Sequence, residues 1–397
     1  MAKVISIRNL ITAAPPSSTT VGVAYGFENI VVASLDGGNT WTLKHQEIGA
    51  SSNLLASASD GISKIVVVGG DISGSVENSI ISSVDGGSTW VARSLGTLTG
   101  NSLVLNGIIF DGSKFVVAGK NNTAGGTPVI GTSIDAINWI WSVPSGITQP
   151  LNDIAFFNGL YIVIEDINGS GISHIWSSPD LSTWTLRFTS TGSIAWGFFF
   201  SRPGHIFVTP TQGDFRGAYS SDGMSWTDTG TENSVNILNR FNIVFDPIHN
   251  HWVANTDAAG SNTGNLGQGG LFYSSDDGAS FHTGHAPAFN ASDVVIFGSS
   301  VFGFDNNLYA NYGYTPAASG SLQKSTDGGV TWTDLHDYVN QIVQSIRSVG
   351  SQFIAWLAPT NFSIEHIVTS PDLLTFTNVF TDTNADVNII DFFTLTS

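Results

Sequence analysis

The fold of this chain is decided by a stretch that reads Ser34-Leu35-Asp36-Gly37-Gly38-Asn39-Thr40-Trp41. Seven further stretches repeat its pattern of a serine, any residue, an aspartate and, four or five residues later, a tryptophan or phenylalanine. The eight aspartates follow one another at intervals of 42 to 54 residues, and they are Asp36, Asp85, Asp135, Asp180, Asp222, Asp276, Asp327 and Asp372. Self-similarity at this period is typical of β-propellers, in which each repeat forms one blade.

Each repeat also contains a hairpin signal ahead of the Ser-x-Asp stretch. In the third repeat, the apolar runs 108–110 and 115–119 flank Asp111-Gly112, a dipeptide common in tight hairpin turns. A third strand runs into the Ser-x-Asp stretch and a fourth starts at its aromatic residue, whereas no segment shows a sustained helical period. The sequence therefore predicts an all-β fold, with residues 1–397 as a single β-propeller domain of eight four-stranded blades, or of seven if one repeat is degenerate.

The two ends of the chain predict how the first blade is completed. The first repeat has strands near 21–25 and 30–33 but lacks an innermost strand, while residues 387–393 look like the start of a further repeat. We expect this C-terminal strand to pair into the first blade, because such closure removes unpaired sheet edges. The segment 4–11 is the alternative for this place.

The Ser-x-Asp stretch has a mechanical interpretation. The aspartate can accept hydrogen bonds from backbone N–H groups of its own turn, and glycine permits a positive φ in the tight loop. The aromatic residue that opens the next strand can cover the core of the blade. We therefore expect all eight aspartates to be structural.

These stretches resemble the Asp-box, or bacterial neuraminidase repeat, of sialidases, family 74 glycoside hydrolases, sortilin-type receptors and the photosystem II assembly factor propellers. The resemblance covers nearly the whole chain and implies a propeller in which the box is a structural turn away from the ligand site. It implies little about activity. The sialidases resemble one another in a Phe/Tyr-Arg-Ile-Pro motif and an arginine triad, and neither is recognisable here, where Arg8 is the only arginine before the first box.

The composition excludes several classes of partner. The chain has 31 acidic and 13 basic residues, a net charge of −18, and no cluster of lysine or arginine. Such a surface repels phosphate backbones, so we expect no nucleic acid, and the lack of a long apolar run predicts no membrane insertion. The absence of cysteine excludes disulfides and thiolate metal sites. Residues 1–8 lack the apolar region of a secretory signal, so none is expected.

Candidate ligand-binding residues lie on the polar segments expected at the blade end opposite the Ser-x-Asp stretches. Binding groups tend to lie on loops held by a rigid scaffold. The segment 305–314 concentrates three tyrosines among asparagine and glycine, and such rings suit sugar or protein contacts. The predicted ligand-binding set is Tyr309, Tyr312, Tyr314, Glu165, Asp166, Asp257 and Arg216.

The same reasoning predicts no catalytic residue, metal or cofactor. Glycoside hydrolysis needs two converging carboxyl groups, but Glu165 and Asp166 are adjacent, and neighbouring residues of a strand point in opposite directions. Asp246, His249 and His251 crowd one hairpin tip in a pattern compatible with a transition metal. Tips of this kind are commonly polar without binding an ion, so no metal site is assigned to them.

These observations favour a non-enzymatic, rigid propeller platform that recognises a glycan or a protein. A composition rich in Ser, Thr, Asn and Gly, with few charges and no cysteine, is similar to that of many phage appendage proteins. We therefore expect a structural or receptor-binding component of a bacteriophage virion, with other virion proteins or surface glycans as partners; the cytoplasm is the alternative location. Two other functions stay open: a glycoside hydrolase or lyase acting on surface polysaccharide, and an intracellular assembly factor.

Overall fold

A computed structural model confirms the all-β prediction, because its described residues form 34 strands and a single 3-10 turn at Gly96–Leu98. The described residues are 18–71, 79–98, 101–166, 172–190, 195–202, 204–214, 217–228, 236–238, 241–256, 270–278, 280–285, 294–295, 300–304, 306–315, 319–339, 341–349, 352–359, 365–382 and 387–396. The chain divides into two compact units. Unit 1 contains the described residues 18–190 and 387–396, and unit 2 contains those of 195–382.

Unit 1 begins with fifteen strands that follow one another along the chain. They are β1 (Ser18–Gly26), β2 (Val31–Ser34), β3 (Thr42–His45), β4 (Asn53–Ser59), β5 (Ile65–Gly70), β6 (Ile80–Ser83), β7 (Val91–Ala92), β8 (Leu103–Phe110), β9 (Phe115–Asn121), β10 (Thr127–Ser133), β11 (Ile140–Ser142), β12 (Leu151–Phe157), β13 (Leu160–Glu165), β14 (His174–Ser178) and β15 (Thr185–Thr189). Strands β4–β7, β8–β11 and β12–β15 form three antiparallel four-stranded sheets, which are blades 2, 3 and 4.

Unit 2 holds the next four blades. Its strands are β16 (Ala195–Arg202), β17 (His205–Asp214), β18 (Ala218–Ser220), β19 (Thr227–Asp228), β20 (Asn236–Leu238), β21 (Phe241–Asp246), β22 (His251–Thr256), β23 (Gly270–Ser274), β24 (His282–His285), β25 (Val294–Val295), β26 (Ser300–Phe304), β27 (Asn307–Thr315), β28 (Ser319–Ser325), β29 (Thr333–Val339), β30 (Gln341–Val349), β31 (Gln352–Pro359), β32 (Glu365–Ser370) and β33 (Thr377–Asp382). Blades 5 and 7 each carry one additional short strand, because β20 also pairs with β17 and both β25 and β26 pair with β27.

The last strand, β34 (Val387–Thr396), completes blade 1. It pairs antiparallel with β1 in the order β3-β2-β1-β34, with registers that run from Ser18 opposite Thr396 to Gly26 opposite Val387. Eight four-stranded propeller blades and a first blade completed by the C-terminal strand are therefore confirmed. That the whole chain is one domain stays a prediction.

The two ends of each blade differ in their connections. The hairpin between the first and second strands and the Ser-x-Asp turn between the third and fourth lie at one end, which we call the turn end. A backbone hydrogen bond of 2.9 Å from Gly86 to Ser63 joins these two connections in blade 2. The opposite end, which we call the loop end, carries the connection between the second and third strands and the segment that leads to the next blade.

The Ser-x-Asp turns use one hydrogen-bond pattern in both units. In all eight turns the serine hydroxyl donates to the aspartate carboxylate over 2.7 to 3.2 Å. In the second turn, the buried Ser83 hydroxyl also accepts from the Gly87 N–H at 2.8 Å, and the Trp90 indole donates to the Gly87 carbonyl. The aspartate thus organises its own turn, as its position in the sequence predicts.

The core lies between neighbouring sheets. Val116 and Ala118 of blade 3 pack with Ile154 and Val163 of blade 4, and Trp184 of the fourth Ser-x-Asp turn belongs to the same buried cluster. Strands β5 and β9 have buried residues on both faces because a neighbouring blade of unit 1 covers each face. This packing fixes the positions from which the loops of unit 1 project.

Candidate functional site

A groove at the loop end of unit 1 is the candidate site. One wall is the connection between β9 and β10, and the other is the segment between β11 and β12 that leads from blade 3 to blade 4. The groove has a volume of about 790 Å³. Its lining consists of Lys120, Asn122, Gly125, Gly126, Thr127, Pro128, Val143, Ile147, Thr148, Gln149 and Pro150.

The first wall is a short hairpin turn with a defined backbone. The N–H of Gly125 donates to the carbonyl of Asn122 at 3.0 Å, and that of Gly126 donates to Asn121 at 2.9 Å. Both glycines have a positive φ, of 71° and 85°, which a residue with a side chain adopts only under strain. The Thr127 hydroxyl donates to Ala124 at 2.6 Å. The turn is therefore preorganised, and its flanking residues 119–121 and 127–129 lie on β9 and β10.

The second wall is held from behind by a buried carboxylate. Glu165, at the end of β13, accepts hydrogen bonds from the backbone N–H groups of Thr148 and Gln149, both at 2.9 Å, through Oε1. Its Oε2 accepts from the Trp176 indole at 2.7 Å and lies 2.9 Å from Nδ1 of His174. Four groups from two segments thus converge on one side chain. Glu165 fixes the backbone that lines the groove.

The charge of Glu165 follows from these contacts. Burial alone raises the pKa of this carboxyl group, but the hydrogen bonds from Thr148, Trp176 and Gln149 and the nearby His174 outweigh burial. The pKa of Glu165 therefore lies below its ordinary value, and the group is ionised at neutral pH. A carboxylate held in this state accepts hydrogen bonds and is poorly suited to donate a proton as a general acid.

The neighbouring Asp166 supports the same wall. Its N–H donates to the Pro150 carbonyl at 2.8 Å, and its carboxylate accepts from the Asn152 amide at 3.0 Å. Neither Glu165 nor Asp166 is among the lining residues. Both predicted ligand-binding acids therefore lie behind the groove wall, where their contacts position the lining backbone.

Lys120 supplies the charge of the groove. Within the described part of the chain, Lys120 is the one charged residue among those that line it. Two other lysines of unit 1 are paired: Lys64 lies 2.9 Å from Asp60, and Lys114 lies 3.0 Å from Asp111. No such pair is found for Lys120 among the described residues, so its ammonium group can interact with a ligand.

The lining combines three kinds of chemistry. Asn122, Thr127 and Gln149 offer amide and hydroxyl groups, and Lys120 offers a cation. The apolar part consists of the side chains of Pro128, Val143, Ile147 and Pro150. Concave sites with an apolar lining and a few placed polar groups are typical of small-molecule and saccharide recognition.

The three tyrosines of the predicted set lie in unit 2, on β27. The segment around them, predicted as a loop, is instead a strand that pairs with β28. Tyr309 is buried in a cluster with Leu322 and Ile346, and its ring centroid lies 5.8 Å from that of Phe353. The backbones of Tyr312 and Tyr314 pair with Ser321 and Ser319. Glycine and asparagine between the tyrosines suggest a loop instead of a strand, because both residue types are common in loops.

Two of the predicted ligand-binding residues, Asp257 and Arg216, lie outside the described residues. The hairpin-tip histidines make local contacts: Nδ1 of His249 lies 2.6 Å from the Asp246 carboxylate, and Nδ1 of His251 lies 2.8 Å from the Gly328 carbonyl. A search of the described residues finds no group of three or more His, Asp or Glu that could hold a metal ion. The same residues contain no helix long and apolar enough to span a membrane.

Sequence reasoning missed the residues that line the groove. Lys120 follows an apolar run in the sequence, and nothing there distinguishes it from other polar residues. Thr148 and Gln149 become recognisable only through Glu165, which lies 16 or more residues further along the chain. The available signal is an acidic residue that directly follows an apolar second strand.

Comparison with known proteins shows similarity in fold alone. No family model matches the chain, and no curated protein matches it. Among solved structures, Sqt1 of Saccharomyces cerevisiae has a TM-score of 0.56 at 10% identity, over 90% of this chain and 93% of its own. A putative 6-phosphogluconolactonase from Bacteroides uniformis has a TM-score of 0.52 at 8% identity, over 95% and 99%.

A third solved structure, an ancestral GH74 enzyme, has a TM-score of 0.51 at 12% identity. The likeness covers 83% of this chain and 53% of that one. These proteins differ in function, and identities this low carry no information about a shared site. The chain is therefore similar to known β-propellers in fold.

Proposed function

We propose that this protein is a non-enzymatic β-propeller platform for glycan recognition, with the groove between β9–β10 and β11–β12 as its binding site. The main support for this proposal is that polar and apolar residues together line this preorganised groove. Amide and hydroxyl groups can bond sugar hydroxyls, while the partly exposed ring of Pro150 can pack against a sugar ring. Lys120 can bond a hydroxyl or a carboxylate of the glycan.

The absence of acid chemistry in the groove supports a binding role over hydrolysis. Its described lining residues include no carboxylate. The nearest acids, Glu165 and Asp166, are engaged with backbone and amide groups of the wall. Glycoside hydrolysis needs one carboxyl group as an acid and a second as a base or nucleophile, on either side of the scissile bond. A glycoside hydrolase or lyase is therefore the alternative, and the glycan-binding experiment must distinguish cleavage of a glycan from binding alone.

The biological setting is the second part of the proposal. We infer that the chain belongs to the Asp-box propellers and is a structural or receptor-binding component of a bacteriophage virion. The eight Ser-x-Asp turns support the first statement, and a composition rich in uncharged polar residues, with few charged residues and no cysteine, supports the second. Surface glycans and other virion proteins are the partners that this setting implies. Detection of the protein in purified particles tests it, and particles that lack the protein would contradict it.

The groove is tested by exposing the pure protein to an immobilised panel of bacterial surface glycans and following both retention and product release. We expect retention of the protein without release of sugar. Release of sugar would make the alternative correct, and failure to bind any glycan would overturn glycan recognition.

Two variants show whether a retained glycan occupies the groove. Lys120→Gln removes the cation of the groove, and Lys44→Gln, on the fourth strand of blade 1, is the matched control. We expect Lys120→Gln to weaken retention about tenfold, which corresponds to one hydrogen bond to a charged group. Equal retention of the two variants would exclude the groove as the binding site.

A further inference from the structure

The turn end of unit 1 carries exposed apolar side chains at a repeated position. The middle residue of the Ser-x-Asp turn is Leu35, Val84 and Ile134 in blades 1 to 3, and these side chains are 39%, 38% and 74% exposed. In the corresponding blades of unit 2 this residue is polar: Ser221, Ser275 and Thr326. The turn geometry therefore does not require an apolar residue at this position.

The turns of neighbouring blades lie against each other, so their exposed apolar side chains share one end of unit 1. A Cβ atom placed on Gly87, in the turn of blade 2, would lie 3.2 Å from Cδ2 of Leu35 in blade 1, so the two turns touch. The Ser82 hydroxyl of blade 2 donates to the Ala136 carbonyl in the turn of blade 3 at 2.7 Å. We call Leu35, Ile62, Val84, Ile134 and Ile137, all exposed at this end, the apolar strip.

Carboxylates alternate with these apolar side chains. Asp36 and Asp85 are exposed and Asp135 is half-buried, each beside a residue of the apolar strip and each held by its own turn. Burial opposes ionisation and raises the pKa of these carboxyl groups, but the hydrogen bonds within each turn together outweigh it and lower the pKa of all three. The cations at this end, Lys64 and Lys114, are already paired with Asp60 and Asp111. The surface around the apolar strip is therefore negative.

We propose that the apolar strip of unit 1 is a docking surface for a protein partner that presents apolar side chains surrounded by lysine or arginine. Contiguous exposed apolar patches on soluble proteins are typical of interaction sites. The flanking carboxylates select a basic partner, because complementary charge steers association and like charge opposes it. A second copy of this chain is disfavoured for the same reason, since two acidic strips would face each other. Because the apolar strip lies at the turn end and the groove at the loop end, a docked partner leaves the groove open.

A triple variant, L35S/V84S/I134S, removes the apolar strip with little risk to the fold. Serine already occupies this position in two turns of unit 2, Ser221 and Ser275, with the same turn hydrogen bonds. The matched control is L43S/V91S/L186S, which removes apolar residues that are 48%, 46% and 44% exposed on fourth strands of the same unit. Thermal unfolding of both variants checks that each is folded.

The probe is a short fluorescent peptide with leucines spaced among lysines and glycines, and its binding to the full chain is followed by anisotropy. Two further peptides replace leucine by serine or lysine by glutamate. We expect the wild type and the control variant to bind the lysine–leucine peptide about tenfold more tightly than either other peptide, and the strip variant to lose this preference. Raised salt should weaken binding, because the charge contribution is screened.

Three outcomes would overturn the proposal. The strip variant could bind the lysine–leucine peptide as tightly as the wild type, which would place the binding surface elsewhere. The glutamate peptide could bind as tightly as the lysine peptide, which would show that charge does not select the partner. Finally, the wild type could be a dimer that the strip variant converts to a monomer, which would make a second copy the occupant.

Discussion

The turn end and the loop end of unit 1 both connect strands, but the turn end repeats one contact in each blade, whereas the contacts of the loop end differ between blades. At the turn end, the serine hydroxyl of every blade donates to the aspartate of the same turn. At the loop end, the second strand of each blade binds the segment that enters that blade, but the chemistry differs. The contacts are Asp71 to Ser51 in blade 2, Asn121 to Asn101 in blade 3 and Glu165 to Thr148 and Gln149 in blade 4.

This difference shows where specificity can arise. A pattern repeated in each blade serves the geometry of the blade, and it cannot distinguish one position around the unit from another. Within the described part of unit 1, the convergence of four groups on one carboxylate is seen at Glu165, so this contact can distinguish blade 4 from blades 2 and 3. We therefore assign ligand recognition to the loop end and the framework to the turn end.

The largest loss of stability is expected from Glu165→Ala, which tests whether the hydrogen bonds to Glu165 hold the second wall of the groove. The change leaves the N–H groups of Thr148 and Gln149 and the Trp176 indole without their acceptor. We expect the free energy of unfolding to fall by about 3 kcal/mol. Urea unfolding measures this loss, and Asp166→Ala is the neighbouring control, with an expected loss below about 1 kcal/mol. Equal losses of unfolding free energy in the two variants would show that the contacts of Glu165 stabilise the wall no more than those of Asp166.

A smaller and repeated effect is expected at the turn end. Ser34→Ala and Ser83→Ala each remove a hydroxyl that donates to an aspartate and accepts from a glycine N–H. We expect each variant to lose about 1 to 2 kcal/mol of unfolding free energy. The two losses should agree within about 0.5 kcal/mol, because the turns are equivalent and lie in separate blades. Urea unfolding of both variants checks this, and clearly unequal losses would show that the turns are not interchangeable.

The turn-end aspartates also predict a dependence of stability on pH. Hydrogen bonds from backbone N–H groups, first that of Ser225 for Asp222 and that of Thr375 for Asp372, lower the pKa of both carboxyl groups to about 2 from the ordinary 3.8. The folded pKa lies below the unfolded pKa, so protons bind preferentially to the unfolded chain. The stabilisation is complete above about pH 5 and is lost as the pH falls towards 2.

Urea midpoints measured between about pH 7 and pH 3 test this dependence, and we expect them to fall steadily below about pH 5. Asp222→Asn should show a weaker fall than the wild type, because the substituted side chain no longer titrates. A variant with the same pH dependence as the wild type would exclude Asp222 from the effect.

The smallest effect on stability is expected from Lys120→Gln. No ion pair is found for this lysine among the described residues, so its replacement should change the unfolding free energy by less than about 0.5 kcal/mol. Lys114→Gln is the contrasting variant at the turn end, because Lys114 donates to the Tyr161 hydroxyl at 2.7 Å and pairs with Asp111. Thermal unfolding should therefore rank Lys114→Gln as the more damaging change. The opposite ranking would show that Lys120 has a structural role.

The sequence alone predicts the turn end well and the loop end poorly, for the same physical reason. The Ser-x-Asp turn is local: its partners lie within a few residues, so Asp36 and its seven counterparts reveal their turns by spacing. The pairing of β1 with β34 is distant in sequence but is implied by an incomplete first repeat and a surplus last strand.

The groove depends on contacts that no spacing encodes. Glu165 is visible as an acid after an apolar strand, but its acceptance of N–H groups from 148 and 149 follows only from the packing of blade 3 against blade 4. Tyr309 shows the converse error, because a tyrosine among asparagines and glycines resembles a binding loop and is in fact buried on a strand. Composition indicates which residues are polar, and the tertiary packing decides which of them reach solvent.

Hydrogen exchange tests directly whether the loop end of unit 1, and not its turn end, binds the ligand. Exchange of the wild-type chain is compared with and without a glycan that the panel retains. We predict slower exchange in residues 120–128 and 143–150, which form the walls of the groove, and unchanged exchange in the Ser-x-Asp turns of unit 1. Slower exchange at those turns with no change at the groove walls would contradict the account, because recognition would then belong to the repeated end of the blades.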